Sequence, residues 1–243
     1  MSWAQRMQTL VQLVYPPRCL SCGGMVESDF GLCGVCWRDT PFIAGLTCDL
    51  CGTRLPGSSD REEHCDDCLT TARPWSKGRA ALEYKDRGRR MVLALKHGDR
   101  HDIARPAARW MARQTRSIVR EDTLVVPVPL HLHRHLARRY NQSALLAEAL
   151  AAELDLDWCP DLLQRPQKTP SLDGKSRDER FATLAGRLSV SPLREGLIRG
   201  RSVLIVDDVM TSGATLAAAT EASLAAGATE VFVSVLARVV KDA

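Results

Sequence analysis

The chain has 243 residues, 45% of them hydrophobic and 26% charged, the balance of a soluble globular protein with room for one medium domain and a smaller one. Its formal net charge of +4 and pI near 8.6 suit anionic ligands without singling out nucleic acid. No apolar run reaches the roughly 18 residues of a membrane helix, and the chain does not open on a basic stretch followed by an apolar core. Neither a membrane span nor a secretory signal is expected, and the expected location is cytoplasmic.

In chain order, Trp3, Met7, Leu10, Val11 and Val14 fall at helical spacing and predict a short amphipathic helix that packs on its own domain. Eight of the nine cysteines follow as four Cys-x-x-Cys pairs: Cys19/Cys22, Cys33/Cys36, Cys48/Cys51 and Cys65/Cys68. Each pair can present two thiolates to one tetrahedral ion, with Gly23, Gly34 and Gly52 supplying the sharp turn of a knuckle. Two pairs make a four-cysteine zinc site, so about two structural zinc ions are expected. Sequential pairing of the knuckles is the simplest arrangement; interleaved pairing satisfies the same chemistry. Disulfides would call for a secreted chain, and a redox Cys-x-x-Cys usually occurs once rather than four times in tandem. Structural zinc contributes about 10–16 kcal/mol in small peptides, enough to fold a segment with little core. His64, next to Cys65, is read as a surface residue.

Pro56, Gly57, Ser58, Ser59, Pro74 and Gly78 give residues 53 to 78 the composition of loop and linker. They divide the chain into an N-terminal helix with double zinc ribbon over 1–74 and a second domain over 75–243. A strand is expected from Arg79 to Tyr84, then a helix through Met91, Leu93, Leu95 and Lys96 with a stop at Gly98, and another helix from Ile103 to about Ser117. Lys85, Arg87, Arg89 and Arg90 form either a phosphate-facing surface or a solvated face. Residues 123 to 129 read as a buried strand closing in prolines, followed by a basic loop with Arg134, Arg138 and Arg139 and a helix around Leu145 to Leu154. Cys159, without a visible partner, is assigned to packing. Residues 202 to 226 repeat the strand–loop–helix pattern and 230 to 240 close the sheet, with Gly227 capping the helix between. Repeated βα units predict an α/β fold with a parallel sheet and ligands at the strand C-terminal ends.

The most informative stretch is Val203 to Thr215. Four aliphatic residues form a buried strand that is expected to end at Asp207 and Asp208; Val209, Met210, Thr211, Ser212 and Gly213 make a turn, and a helix begins near Ala214. Amides at a helix mouth with nearby hydroxyls form a phosphate site. No lysine is present, so this is not a Walker A loop, and the Gly-x-Gly-x-x-Gly of dinucleotide sites is missing. Carboxylates repel phosphate but accept hydrogen bonds from vicinal hydroxyls. A ribose 5-phosphate satisfies both halves, with its hydroxyls on the acids and its phosphate on residues 211 to 215.

This stretch resembles the phosphoribosyl-diphosphate (PRPP) signature of type I phosphoribosyltransferases over all thirteen positions. Pro127-Val128-Pro129-Leu130-His131, Arg138 and Asn141-Gln142 narrow the resemblance to the ComF family, many of whose members carry an N-terminal double zinc ribbon. Arg139 and Tyr140 stand where that family usually has Gly-Phe. Leu162 to Arg165 looks like its second core strand, and Lys168 to Ser171 with Arg177 to Arg180 resembles further family elements, although Leu172 and Thr183 replace the usual glutamine and asparagine. Residues 165 to 180 are read either as a lid over the site or as a plain surface loop.

The resemblance implies a type I phosphoribosyltransferase core behind a zinc ribbon, and a link to competence and DNA uptake or use. It implies PRPP with Mg²⁺, with Asp207 and Asp208 on the ribose as the catalytic pair, and Val209, Met210, Thr211, Ser212, Gly213, Ala214 and Thr215 completing the PRPP site. Arg134, Arg138 and Arg139 would lie beside the diphosphate. The acceptor would be a nitrogenous base. The rival expectation is a non-catalytic module that senses PRPP or binds single-stranded DNA or the competence machinery; it lacks the aromatic residues that stacking platforms use, apart from Trp37 among the cysteine pairs.

Overall fold

The structure, a computed structural model, describes residues 16–27, 31–98, 100–130, 140–166, 174 and 176–240. The helix expected over 3 to 14, the loop with Arg134, Arg138 and Arg139, and half of the segment read as lid or loop lie outside them.

Two cysteine-bearing lobes come first. In each, a knuckle turn is followed by a short helix, α1 (Gly34–Arg38) and α2 (Asp66–Thr70), whose N-caps are Cys33 and Cys65 and whose buried faces carry Cys36 and Cys68. Gly23 and Gly52 take the positive φ of a knuckle, as expected. Gly34 does not, because it opens α1 and needs only helical backbone.

The rest of the chain alternates between strand and helix. β1 (Lys77–Glu83) leads into α3 (Asp86–His97) and α4 (Ala104–Thr115); β2 (Leu124–Pro127) leads through the loop to α5 (Gln142–Leu154). β3 (Leu163–Gln164), α6 (Arg177–Leu184) and β4 (Ser189–Val190) form an excursion; β5 (Ser202–Met210), α7 (Ala214–Ala225) and β6 (Glu230–Arg238) complete the core. The four long strands form one parallel sheet in the order β1-β6-β5-β2.

Strand residues alternate between the two faces. Leu124, Val126, Val203, Ile205, Val231 and Val233 join one apolar cluster with α7, α6 and the second cysteine lobe, and Val125, Leu204, Val206, Phe232 and Leu236 join another with α3, α4 and α5. Both faces are therefore covered, as an all-parallel sheet requires, but part of one cover is a cysteine lobe rather than a helix.

The lobe is also stitched to the edge strand. Gly78 donates to the Asp49 carbonyl at 2.7 Å, Ile43 to that of Ala81 at 2.9 Å, and Glu83 to that of Pro41 at 2.9 Å. A β-carbon added at Gly78 would sit 2.3 Å from the Leu50 oxygen, and one at Gly52 would sit 2.4 Å from the Ala80 nitrogen. Only glycine at both positions lets the two backbones approach so closely. At the opposite edge, Trp158 bridges to Val125. Both edges of the sheet are thereby occupied, which blocks pairing with other chains.

Four expectations need correction. Residues 162 to 165 do not add a core strand: β3 pairs antiparallel with β4 in a separate two-stranded ladder, because residues 157 to 159 already occupy the β2 edge. β5 does not end at Asp207 and Asp208 but continues to Met210, since β6 is equally long and offers partners as far as Arg238. α5 starts at Gln142, where the Asn141 side chain accepts from the Ser143 amide and caps the helix. Gly98 ends α3 without a left-handed turn; its role is close approach, since a β-carbon there would meet the Ala94 oxygen at 2.8 Å.

Candidate functional site

The C-terminal end of β5 gathers the side chains that sequence analysis singled out. The Ser143 hydroxyl, in the first turn of α5, donates to Asp207 Oδ1 at 2.8 Å, and the Asp208 amide donates to the same oxygen at 2.9 Å. Lys96, in the last turn of α3, places Nζ 3.1 Å from Asp208 Oδ1. Asp208 is 7% exposed. Asp207 is closely surrounded by protein, although part of its surface still meets solvent. Desolvation, then the neighbouring Asp208 charge, push the Asp207 carboxyl up to about 7 against the opposing effects of Ser143 and Lys96. A carboxyl poised there changes charge near neutrality.

The helices that deliver Ser143 and Lys96 are locked to each other. Tyr140 donates its hydroxyl to the Leu95 carbonyl at 2.7 Å, Gln142 donates to the Lys96 carbonyl at 3.3 Å, and Asn141 donates to the Val128 carbonyl at 3.0 Å. Tyr140, Asn141 and Gln142 thus act as fasteners between β2, α3 and α5.

Beyond β5 the chain turns sharply at Gly213, with φ +85°, to enter α7. No side chain caps this helix at Gly213. The amides of Ser212, Gly213 and Thr215 donate to no protein acceptor among the described residues, while Ala214 donates to Ser212 Oγ at a long 3.4 Å. Free amides at a helix mouth favour an anion. Asp207 and residues 209 to 216 line one shallow concavity, so one acid and the turn share a surface; Asp208 faces Lys96 instead.

The turn is held from behind by arginines. Arg238, 4% exposed at the end of β6, donates Nη1 to the carbonyls of Thr211 at 2.7 Å and Met210 at 3.2 Å. Arg73 donates Nη1 to the Ser212 carbonyl at 2.6 Å. Arg180 donates to Thr211 Oγ1 at 3.2 Å, and Arg177 pairs with Asp67 in α2 at 2.6 Å. A cavity of about 340 Å³ between these groups is lined by Asp67, Arg177, Arg180, Arg238, Thr211 and Ser212, with Val239, and touches neither Asp207 nor Asp208.

Sequence analysis missed Lys96, Ser143, Arg73, Arg238 and Asp67 as neighbours of this region. Lys96 was read only as part of a helix end, and Arg73 lies in a stretch of linker composition. Of the basic run at 85 to 90, Arg87 turns to the first cysteine lobe, bonding Asp39 at 3.0 Å and Cys36 Sγ at 3.2 Å, while Arg89 and Arg90 are exposed.

The cysteines fall into the sets Cys19, Cys22, Cys33, Cys36 and Cys48, Cys51, Cys65, Cys68, with the sulfurs of each set within 4.8 Å of one another. This is the sequential pairing. Cys22 and Cys33 are 3.8 Å apart and Cys51 and Cys65 3.6 Å apart; a tetrahedral ion with Zn–S bonds of about 2.3 Å needs an S···S edge of roughly 3.8 Å. Donor type, number and spacing therefore fit structural zinc. Burial pushes the Cys19 thiol up, but the backbone amides of Cys22, Cys33 and Ser21 outweigh it and bring it down to about 6. His64 is exposed and belongs to neither set. Cys159 is buried, and burial with the Asp161 carboxylate pushes its thiol up, which fits packing rather than nucleophilic chemistry.

Comparison with known proteins agrees with this architecture. The double zinc ribbon domain matches residues 10–69 and the phosphoribosyl transferase domain matches residues 141–242. The chain is 30% identical to the DNA utilization protein YhgH of Escherichia coli K12, over 93% of this chain and 99% of that one. It is 31% identical to the protein of the same name in Salmonella typhimurium, with the same coverage. It is 28% identical to competence protein F of Haemophilus influenzae, over 82% of this chain and 87% of that one. Among solved structures, the glutamine PRPP amidotransferase of B. subtilis complexed with ADP and GMP matches 59% of this chain and 30% of its own length at 20% identity and a TM-score of 0.39, too distant to argue from. With its two four-cysteine lobes, its parallel α/β core and relatives matched nearly end to end, the chain belongs to the ComF family, that of competence protein F and the DNA utilization protein YhgH.

Proposed function

We propose that this chain binds PRPP with Mg²⁺ at the C-terminal end of β5 and transfers its phosphoribosyl group to a nitrogenous base. The observation that carries the proposal is the concavity shared by Asp207 and the uncapped turn at 211 to 215. The ribose hydroxyls donate to Asp207 and Asp208, and the 5-phosphate takes the free amides and the hydroxyls of Thr211, Ser212 and Thr215. Carboxylate oxygens suit a hard cation, and Mg²⁺ would neutralise charge on the diphosphate as it leaves. Arg134, Arg138 and Arg139 follow β2, the neighbour of β5, in the sequence and lie outside the described residues; in this reading their charges serve the diphosphate.

In the transfer, the bond from C1 of the ribose to the diphosphate oxygen breaks and its electron pair leaves with diphosphate. A nitrogen lone pair of the acceptor forms the new bond to C1. The transition state carries positive charge at C1, which the aspartate pair stabilises. Lys96 pairs with Asp208; in this reading it turns to the diphosphate when ribose hydroxyls claim that carboxylate.

In this proposal residues 1–74 hold the N-terminal helix and the zinc lobes, residues 75–243 form the transferase domain, and the protein works in the cytoplasm. No helix among the described residues is long and apolar enough to cross a membrane. The names of the relatives, DNA utilization protein and competence protein F, support a role with DNA, with single-stranded DNA or competence proteins as partners. In a second version the cradle is kept for sensing PRPP and no group is transferred.

Calorimetric titration of PRPP with Mg²⁺, followed by a diphosphate-release assay across nucleobases, tests these readings. Saturable 1:1 binding with release for one base is expected. Binding without release for any base favours the sensing module, and no binding sinks the assignment.

A further inference from the structure

Arg73 is a cation without an acid. Its Nη1 donates to the Ser212 carbonyl at 2.6 Å, and its guanidinium lies 5.5 Å from the centre of the Trp75 ring. Its Nε and Nη2 are closed off from solvent and have no hydrogen-bond partner. No carboxylate pairs with it among the described residues, whereas Arg177 and Arg238 both reach Asp67. Enclosing guanidinium nitrogens without an anion is unfavourable, so the missing counter-charge calls for an explanation.

The location supplies one. A β-carbon added at Gly213 would meet Arg73 Nη1 at 2.7 Å and the Trp75 ring at 3.1 Å. The guanidinium therefore lies directly against the tip of the turn whose amides are free. The turn lacks the lysine that Walker A loops use to meet phosphate charge.

We infer that Arg73 supplies that charge from behind: it is a phosphate-binding and loop-positioning residue, and the anion it complements is the phosphate monoester held by residues 211 to 215. The inference rests on the ribose-phosphate assignment proposed above. Arg73 acts in two ways. Its charge raises the potential at the turn through a protein interior that screens poorly. Its hydrogen bond and its contact with Gly213 fix the orientation of the Ser212–Gly213 peptide. The second cysteine lobe delivers it: Arg73 lies five residues beyond Cys68, and Trp75 donates Nε1 to the Leu50 carbonyl at 2.6 Å, tying the linker to the Cys48–Cys51 knuckle.

The test compares wild type, Arg73→Gln and Arg73→Lys, each first shown to hold its full complement of zinc. PRPP affinity is measured across a salt series, and hydrogen exchange of the 211–215 amides is followed without ligand. We expect Arg73→Gln to weaken PRPP at least tenfold, to flatten the salt dependence and to speed exchange at the turn. Arg73→Lys should recover part of the affinity through its charge. Wild-type affinity together with wild-type exchange in Arg73→Gln overturns the inference. If the wild type binds no PRPP, the ribose-phosphate assignment fails instead, and the positioning role stands or falls on the exchange rates alone. Should Arg73→Gln not fold, Arg73→Lys decides: lost charge is restored but the forked donor is not, so unaltered exchange there overturns the positioning role.

Discussion

Asp207 and Asp208 are neighbours in sequence but meet different partners: a serine hydroxyl and a backbone amide for the first, a lysine for the second. Asp208→Asn keeps the shape and removes the charge; losing one charge-assisted hydrogen bond of roughly 1.5–3 kcal/mol should weaken PRPP about 10- to 100-fold. Unchanged affinity in the calorimeter would show that the ribose does not rest on Asp208. Asp207 makes a pH-dependent prediction. Its pKa rises in the folded chain from an ordinary 3.8 to about 7, so the folded state holds this proton more tightly than the unfolded state. The resulting stabilisation is full below about pH 4 and is lost as pH rises through about 7. Asp207→Asn does not titrate, so its melting temperature should gain on wild type between pH 4 and pH 8. A difference that stays flat across that window refutes the assigned environment. The type of residue at 207 and 208 was legible in the sequence; the proton on Asp207 was not, because it follows first from burial, which the packing of distant segments decides, against the opposing pull of Ser143 and Lys96, 64 and 112 positions upstream of Asp207 and Asp208 respectively.

At the scale of elements, short-range signals read well where one element decides its own fate. The buried aliphatic strands and the glycine after α7 acted locally. They read poorly where pairing decides. β5 runs past its acids because β6 accompanies it, and Leu163 pairs outside the main sheet, although it stays buried, because the β2 edge is taken. The join between the second cysteine lobe and β1 is the element-scale feature most exposed to test. Gly78→Ala places a methyl 2.3 Å from the Leu50 oxygen, a backbone atom that cannot swing aside. Overpacking of this kind destabilises by about 1–3 kcal/mol, and urea unfolding should show a loss of that size. Gly196→Ala, at an ordinary φ with nothing near the added carbon, controls for the loss of glycine itself; an equal loss in both variants would mean that the close approach is not the cause.

At the scale of the whole molecule the two cysteine lobes differ. Cys48, Cys51 and Cys68 belong to the same apolar cluster as Ile205, Val233 and Leu216, whereas none of the cysteines of the first lobe joins either core cluster. Purified protein should hold about two zinc ions per chain. Cys48→Ser should lower the melting temperature of the entire chain and speed exchange at residues 211 to 215; Cys22→Ser, at an exposed ligand, should cost one zinc and leave the core transition nearly in place. Equal effects of the two substitutions in calorimetry would argue against this asymmetry. By itself the sequence determined the metal chemistry, the α/β class and the strand–acid–turn–helix unit, because each depends on residues close together in the chain. Only the tertiary structure decided which cysteine pairs share a site, which helices bring Ser143 and Lys96 to the acids, and that Arg73 stands behind Gly213. Those contacts join segments far apart in sequence, and their geometry follows from how the sheet is covered rather than from any local pattern.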